Sequence, residues 1–209
     1  MLDKALRAAL RQAYNNSVDY RRALALRDWR EVERRAFLDQ LHQAGAVSLL
    51  EIGAGPGPDS RFFRDQGLKL ITSALALENA FACREQGLLA LVLDACAIPF
   101  AANRFDAVYS ANCLLHLPKR EFPLALAQAS RVLKPGGRFY LGQYGGPDQE
   151  SVWEDDVYQP PRFFSFFSDE KLLGVVAKQF EIVNFKSIPL EEDTAALHFQ
   201  SLTLRKPAA

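Results

Sequence analysis

One stretch constrains the fold more than any other: a short apolar run that stops in alternating glycines. Residues 46–52 read Ala-Val-Ser-Leu-Leu-Glu-Ile, and the chain continues Gly53-Ala54-Gly55-Pro56-Gly57. Runs of this length suit strands buried on both faces of a parallel sheet. Glycine carries no Cβ and adopts positive φ freely, so the main chain here can press against a ligand. In an open α/β sheet the ligand crevice lies beyond the carboxyl ends of the strands, which is where such a loop falls. Pro58 or Asp59 then opens a helix, because proline suits a helix start and a carboxylate opposes the dipole there.

The rest of the chain repeats the alternation. Strand-like runs cover residues 68–74, 90–93, 105–110 and 137–141, with helix-like stretches at 59–66, 78–86 and 119–133. This order predicts βαβ units with right-handed crossovers. Upstream, residues 2–43 carry apolar side chains at helical spacing (Trp29, Val32, Ala36, Phe37, Leu41). They read as two helices with a break near Asn15-Asn16-Ser17, the second capped by Ser17 or Asp19. In the tail, residues 172–180 read as a helix. Residues 180–188 and 197–204 read as strands joined by an acidic loop at Glu191-Glu192-Asp193. With no long helix between them these two strands are expected to pair antiparallel.

Composition narrows the function. A chain of 209 residues with 49% hydrophobic residues can bury a full core. Its zero formal net charge supplies no field for general nucleic-acid binding. No run approaches eighteen apolar residues, and residues 1–20 lack a signal peptide's apolar segment, so neither a membrane span nor a leader is expected. Cys83, Cys96 and Cys113 form no C-x-x-C pair and sit among apolar neighbours. They read as buried free thiols of a cytoplasmic protein rather than metal ligands, and no metal site is expected.

The loop itself selects among ligands. A dinucleotide fingerprint wants glycine at its sixth position, where this chain has Pro58. A nicotinamide oxidoreductase is therefore disfavoured. Glu51 at the strand end would repel a pyrophosphate but suits the amino group of a zwitterion.

Glu51-Ile52-Gly53-Ala54-Gly55-Pro56-Gly57 resembles motif I of the class I S-adenosylmethionine-dependent methyltransferases. Three later segments agree in order and spacing. Leu93-Asp94-Ala95-Cys96-Ala97-Ile98-Pro99-Phe100 resembles the family's D-A-x-x-L-P-F loop. Arg104-Phe105-Asp106-Ala107-Val108-Tyr109-Ser110 resembles its fourth strand, and Arg131-Val132-Leu133-Lys134-Pro135-Gly136-Gly137 its R-V-L-K-P-G-G turn. The resemblance covers roughly residues 47–141. It implies a Rossmann-like α/β fold with a seven-stranded, mostly parallel sheet of order 3-2-1-4-5-7-6, strand 7 antiparallel. On this reading residues 1–209 form a single domain: a helical cap (1–44), a cofactor-binding core (45–142), an acceptor lid (143–168), and a C-terminal helix with antiparallel strands (169–209).

The resemblance also implies S-adenosylmethionine as cofactor, S-adenosylhomocysteine as product, and a small-molecule acceptor rather than nucleic acid or membrane. Gly53, Ala54, Gly55 and Gly57, with Glu51 before them, match the loop that approaches the cofactor's methionine part. Asp94 matches the acid that accepts from the adenine amino group, with Ala95 and Cys96 packing near the base. Ser110 opens the stretch that borders the methyl group. Tyr14 and Tyr20 lie where relatives fold a tyrosine-bearing segment across the cofactor; simple packing is the alternative for each.

One position departs from the pattern. The family's second strand usually ends D-L-S-P-E-N, its Asp holding the ribose hydroxyls; here residues 74–79 read Ala-Leu-Ala-Leu-Glu-Asn. Ala74 cannot accept a hydrogen bond, and Glu78 is the candidate to fold back in its place, or else it simply opposes the helix dipole. Losing bonds to a charged acceptor costs about 1.5–3 kcal/mol. The departure keeps open a degenerate protein that binds the cofactor weakly or has lost catalysis.

Methyl transfer from a sulfonium needs alignment and exclusion of water; a base is required only if the acceptor must lose a proton. Two candidates follow the fourth strand. His116 could act as that base or fill a packing or capping role, and Asn112 could orient an acceptor. Residues 143–168 contain Trp153, Tyr158 and a Phe163-Phe164-Ser165-Phe166-Phe167 run, which read as a long loop covering the acceptor or as a satellite core.

Overall fold

The computed structural model describes residues 3–190 and 197–208. In chain order the elements are α1 (Lys4–Asn15), α2 (Val18–Ala23), α3 (Asp28–Gln43), β1 (Ser48–Ile52), α4 (Pro58–Asp65), β2 (Lys69–Ala74), α5 (Leu77–Glu85) and β3 (Ala90–Val92). There follow β4 (Phe105–Ala111), a 3-10 turn (Leu114–His116), α6 (Phe122–Val132), β5 (Leu133–Gly145), β6 (Gln149–Val152), β7 (Phe163–Phe166), α7 (Asp169–Val176), β8 (Glu181–Pro189) and β9 (His198–Arg205). The acidic loop expected at Glu191-Glu192-Asp193 lies outside the described residues.

Seven strands form one sheet in the order β3-β2-β1-β4-β5-β9-β8. Set β6 and β7 aside, since they pair only with each other, and this is the expected order, with β9 antiparallel to both neighbours. Side chains alternate between two buried faces, as a two-sided sheet requires. Leu50, Val108 and Leu141 pack with Phe122, Leu126 and Leu172 of α6 and α7. Their neighbours Leu49, Ala107, Tyr109 and Tyr140 face Phe37, Leu41 and Phe63 of α3 and α4. Among the described residues no helix is long and apolar enough to cross a membrane.

Two expectations need correction. The N-terminal segment holds three helices, not two. The break at Asn16-Ser17 is present, Ser17 stands at the α2 N-cap without a side-chain cap bond, and a second break separates α2 from α3. Helix propensity would carry the chain through residues 24–27, but tertiary placement overrides it. Arg21 must reach the glycine loop, while Trp29 must pack on Phe199 of β9 with ring centroids 4.2 Å apart. The 143–168 segment is not a structureless loop either. β5 runs on to Gly145, and β6 and β7 form an antiparallel hairpin registered from Gln149↔Phe166 to Val152↔Phe163. Its Phe-rich strand reads as a buried run, and its β6 partner is too polar and short to signal itself.

Candidate active site

The glycine loop leaves β1 with all three glycines at positive φ: 79° at Gly53, 57° at Gly55 and 90° at Gly57. Each answers a different constraint. A Cβ on Gly53 would lie 2.2 Å from Cys113 Sγ, and one on Gly57 2.9 Å from both Cys83 Sγ and Leu88 Cδ1. A Cβ on Gly55 would meet the Arg21 guanidinium, 3.0 Å from Nη2. The loop is braced from behind: the Gly53 and Ala54 amides donate to Ser73 O (2.9 and 2.8 Å), the Cys83 thiol donates to Gly55 O (3.3 Å), and Gln86 Nε2 donates to Pro56 O (2.7 Å). Gly53 and Gly55 line a cleft; Gly57 and Ala54 stand behind it, Ala54 in a small cluster with Ala80 and Cys83.

The cleft encloses about 800 Å3 of space, its mouth included, within the range of small-molecule sites. Its floor is the carboxyl edge of the sheet, with Gly53 and Gly55 after β1, Ala74–Ala76 after β2, Asp94 and Ala95 after β3, and Asn112 and Cys113 after β4. Helices α1 and α2 cover it with Arg7, Tyr14 and Arg21. Arg7 Nε bonds Asp94 Oδ2 while Arg7 Nη1 bonds Glu121 Oε2 at 2.7 Å, so α1 is tied to the β3 loop and to the start of α6. Asp94 Oδ1 also accepts from the Cys96 amide at 2.9 Å. Cys96 is buried in the core beside the cleft rather than on its wall, and burial pushes its thiol up to about 11.

Two cations distinguish themselves by their partners. Arg7 is fully paired. Arg21 Nε is buried without a hydrogen-bond partner among the described residues, and its guanidinium stands 5.5 Å over the Tyr14 ring, facing the cleft beside Gly55. Among the described residues Asn112 is one of two non-glycine residues at positive φ (53°), its amide donates to Gly142 O at 2.7 Å, and its buried Oδ1 finds no partner. Asparagine tolerates this backbone best, and such strained positions cluster at functional sites.

Several expected site residues lie elsewhere. Glu51 is buried on the far side of β1, because Ile52 takes the cleft side and successive side chains alternate. It accepts from the Ser60 hydroxyl, and burial together with nearby Asp59 pushes its carboxyl well up. Asp59 in turn holds Arg30 at 2.7 Å and Arg34 at 3.2 Å. The zwitterion role expected of Glu51 therefore has no geometry here. Ser110 is fully buried inside β4 and off the cleft wall. Glu78 is exposed at the start of α5, where its amide donates to Asn15 Oδ1 at 3.1 Å, and its carboxylate is not on the cleft wall. Tyr20 is 52% exposed, its ring edge-on to Tyr158. Tyr14 does line the cleft.

His116 sits on the wall with both ring nitrogens engaged. Nδ1 lies 2.8 Å from the Phe163 carbonyl, which can only accept, so Nδ1 carries the proton and Nε2 accepts from Tyr14 O–H at 2.7 Å. The Tyr14 oxygen accepts from Arg162 Nη1 at 3.2 Å. Arg162 holds Asp156 through two bonds (2.7 and 2.9 Å) and stacks 3.5 Å over the Tyr158 ring. The chain Asp156–Arg162–Tyr14–His116 thus fastens α1 to the β6–β7 hairpin. Burial, then the Arg162 charge, lowers the His116 pKa to about 3.

That shift has a sign. Unfolded His116 protonates below its ordinary 6.5 while the folded ring does not, so the stability it protects is complete above pH 6.5 and drains as pH falls toward 3. A single-proton difference is worth about 1.4 kcal/mol per pH unit. Urea unfolding between pH 6 and 4 should therefore show a shallower pH slope in His116→Gln than in the parent chain; equal slopes would show that the ring titrates freely.

Sequence reasoning missed Arg7, Arg21, Asn79 and Arg162. For Arg7 and Arg21 the one available signal is the arginine-rich N-terminal segment, which does not say which arginine turns inward.

Residues 50–141 match the family model described as a methyltransferase domain. The chain is 28% identical over 162 residues to phosphoethanolamine N-methyltransferase 2 of Caenorhabditis elegans, covering 69% of this chain and 36% of that protein. It is 35% identical over 141 residues to sarcosine/dimethylglycine N-methyltransferase of Halorhodospira halochloris, covering 63% of this chain and 48% of that one. The chain thus spans less than half the length of either relative. Among solved structures, Burkholderia thailandensis 1,6-didemethyltoxoflavin-N1-methyltransferase, bound to 1,6-didemethyltoxoflavin and S-adenosylhomocysteine, superposes with a TM-score of 0.72 at 24% identity, covering 96% of this chain and 88% of that one. The matched methyltransferase domain spans the glycine loop, the Asp94 loop and the first part of β5, and the seven-stranded sheet gives the chain the Rossmann-like methyltransferase fold.

Proposed function

We propose that this protein binds S-adenosylmethionine in the cleft and transfers its methyl group to a small polar molecule held in the same cleft beside Asn112. The observation that carries the reading is the Arg21 guanidinium beside the bare backbone of Gly55, its Nε buried without a hydrogen-bond partner among the described residues. It gives the cofactor's amino-acid carboxylate a partner at the glycine end, and charge-assisted bonds of this kind are the strong ones. The activated methyl comes from the cofactor's sulfonium. The chain's residues align and shield. Asp94, held by Arg7, offers its carboxylate to the adenine amino group. Tyr14 closes the cleft from above, and its ring supports the Arg21 guanidinium standing over it. Asn112 orients the acceptor's attacking atom through its unpartnered Oδ1. His116 serves as the clamp for Tyr14 rather than as a base, since its accepting nitrogen is already filled.

Small polar acceptors fit the next strand as well. Ala111 pairs with Gly142, which brings Asn112, just past β4, beside Gln143, still within β5 and behind the cleft wall. Gln143 is fully buried, and among the described residues neither its Oε1 nor its Nε2 has a partner. The phosphoethanolamine, sarcosine/dimethylglycine and didemethyltoxoflavin enzymes named above all methylate small molecules. An unsatisfied buried amide costs about 1–3 kcal/mol, a penalty retained for use. Gln143→Leu should therefore raise Tm by about 2–4 °C per kcal/mol recovered while lowering kcat/KM; a loss of both would mark Gln143 as structural.

The second reading is a binder that has lost catalysis, favoured by Ala74 on the cleft wall. Calorimetric titration with S-adenosylhomocysteine tests the cofactor site. A screen of small amines, hydroxylated compounds and heterocycles for S-adenosylhomocysteine release then separates enzyme from binder. Binding with no release across the panel would favour the second reading, and no binding at millimolar ligand would remove both.

A further inference from the structure

The sheet order assigns each part of the cleft to a part of an extended nucleoside ligand. β2 lies between β3 and β1, and neighbouring strands are about 4.8 Å apart. A ligand with its base over the Asp94 end of β3 and its amino-acid part over Gly53 and Gly55 must lay its sugar over the end of β2. There the wall is Ala74, Leu75 and Ala76, none of which has a side-chain acceptor.

One polar side chain does share that stretch. Asn79, in the first turn of α5, lines the cleft, is 3% exposed, and has an Oδ1 buried without a hydrogen-bond partner among the described residues. A buried carbonyl oxygen left unpaired costs free energy that an apolar side chain of the same size would not. Glu78, one residue earlier, is exposed and off the cleft wall. The helix start that carries both is tied to the cover by the Glu78 amide's bond to Asn15 Oδ1 at 3.1 Å.

We propose that Asn79, rather than an acid at the end of β2, receives a ribose hydroxyl of the bound adenosyl ligand. The acceptor has moved from strand to helix and from charged to neutral. This assignment rests on the cofactor reading above. Its consequence is a site that still recognises the sugar without introducing a carboxylate into the wall, and that keeps only the weaker, neutral form of the bond.

The test is a cycle between ligand and protein. Titration calorimetry would compare S-adenosylhomocysteine with its 2′-deoxy and 3′-deoxy forms on the parent chain, Asn79→Leu and Asn79→Asp. The parent should lose about tenfold in affinity on removal of one hydroxyl, the net worth of one hydrogen bond. Asn79→Leu should bind the parent ligand and that deoxy form equally. Asn79→Asp, which keeps an acceptor, should preserve or sharpen the discrimination. A purely structural Asn79 would weaken all three ligands alike and leave the ratio untouched, and that result in Asn79→Leu overturns the assignment, as does loss of discrimination in Asn79→Asp. Uptake by the parent chain with unchanged discrimination in Asn79→Leu defeats Asn79 alone. No uptake by the parent chain defeats the cofactor reading and this one together.

Discussion

Gly55→Val should abolish S-adenosylhomocysteine binding, a loss above about 100-fold or 2.7 kcal/mol, while the circular dichroism spectrum stays native. Two effects act together. The position has φ of 57°, where an L side chain costs about 1–2 kcal/mol and a β-branched one fits worst. The new Cβ would also sit 3.0 Å from Arg21 Nη2, so Arg21 must leave the place from which it faces the cleft. Gly57→Val is the contrast. Its Cβ would strike Cys83 Sγ and Leu88 Cδ1, 2.9 Å away and behind the loop, so its main effect should be a lower Tm. Unchanged affinity in Gly55→Val would refute the placement of the ligand against this loop.

Arg21→Met should weaken S-adenosylhomocysteine by about 10- to 100-fold, the range for losing a charge-assisted bond. Methionine keeps much of the aliphatic stem, so packing on Tyr14 is largely retained. The discriminating ligand is 5′-methylthioadenosine, which has the nucleoside and sulfur but no carboxylate. Its affinity should be the same in both proteins. An equal loss for the two ligands would show that Arg21 merely supports the wall. Because the guanidinium is only partly shielded, the difference should also shrink as salt rises.

The fold was largely legible because its signals are local. The apolar runs that become β1, β2, β3 and β4 are bounded by turns that name themselves, and motif I lies where β1 ends. The limits of legibility are equally specific. Leu24–Arg27 looks like helix by composition, but two helices must aim Arg21 and Trp29 at different parts of the fold. β6 is a four-residue polar strand, fully exposed, which no periodicity marks. At the site, the sequence marks Ala74 as a missing acceptor and offers Glu78 in its place by residue type. Asn79, one position later, turns inward because a helix rotates about 100° per residue.

What the sequence by itself determined is the order of the elements from β1 to β5, the glycine loop and the Asp94 loop after β3. Periodicity, turn residues and the absence of a Cβ act over a few neighbouring positions, and so they survive without knowledge of the rest. Only the tertiary structure decided which charges meet. Glu51 faces away from the cleft to Ser60, Asp94 is held by Arg7 from 87 residues earlier, and His116 is clamped by Tyr14 from 102 residues earlier. Those pairings depend on how the N-terminal helices and the hairpin close over the sheet edge, and desolvation there, not residue type, sets which groups are paired, neutral or left unsatisfied.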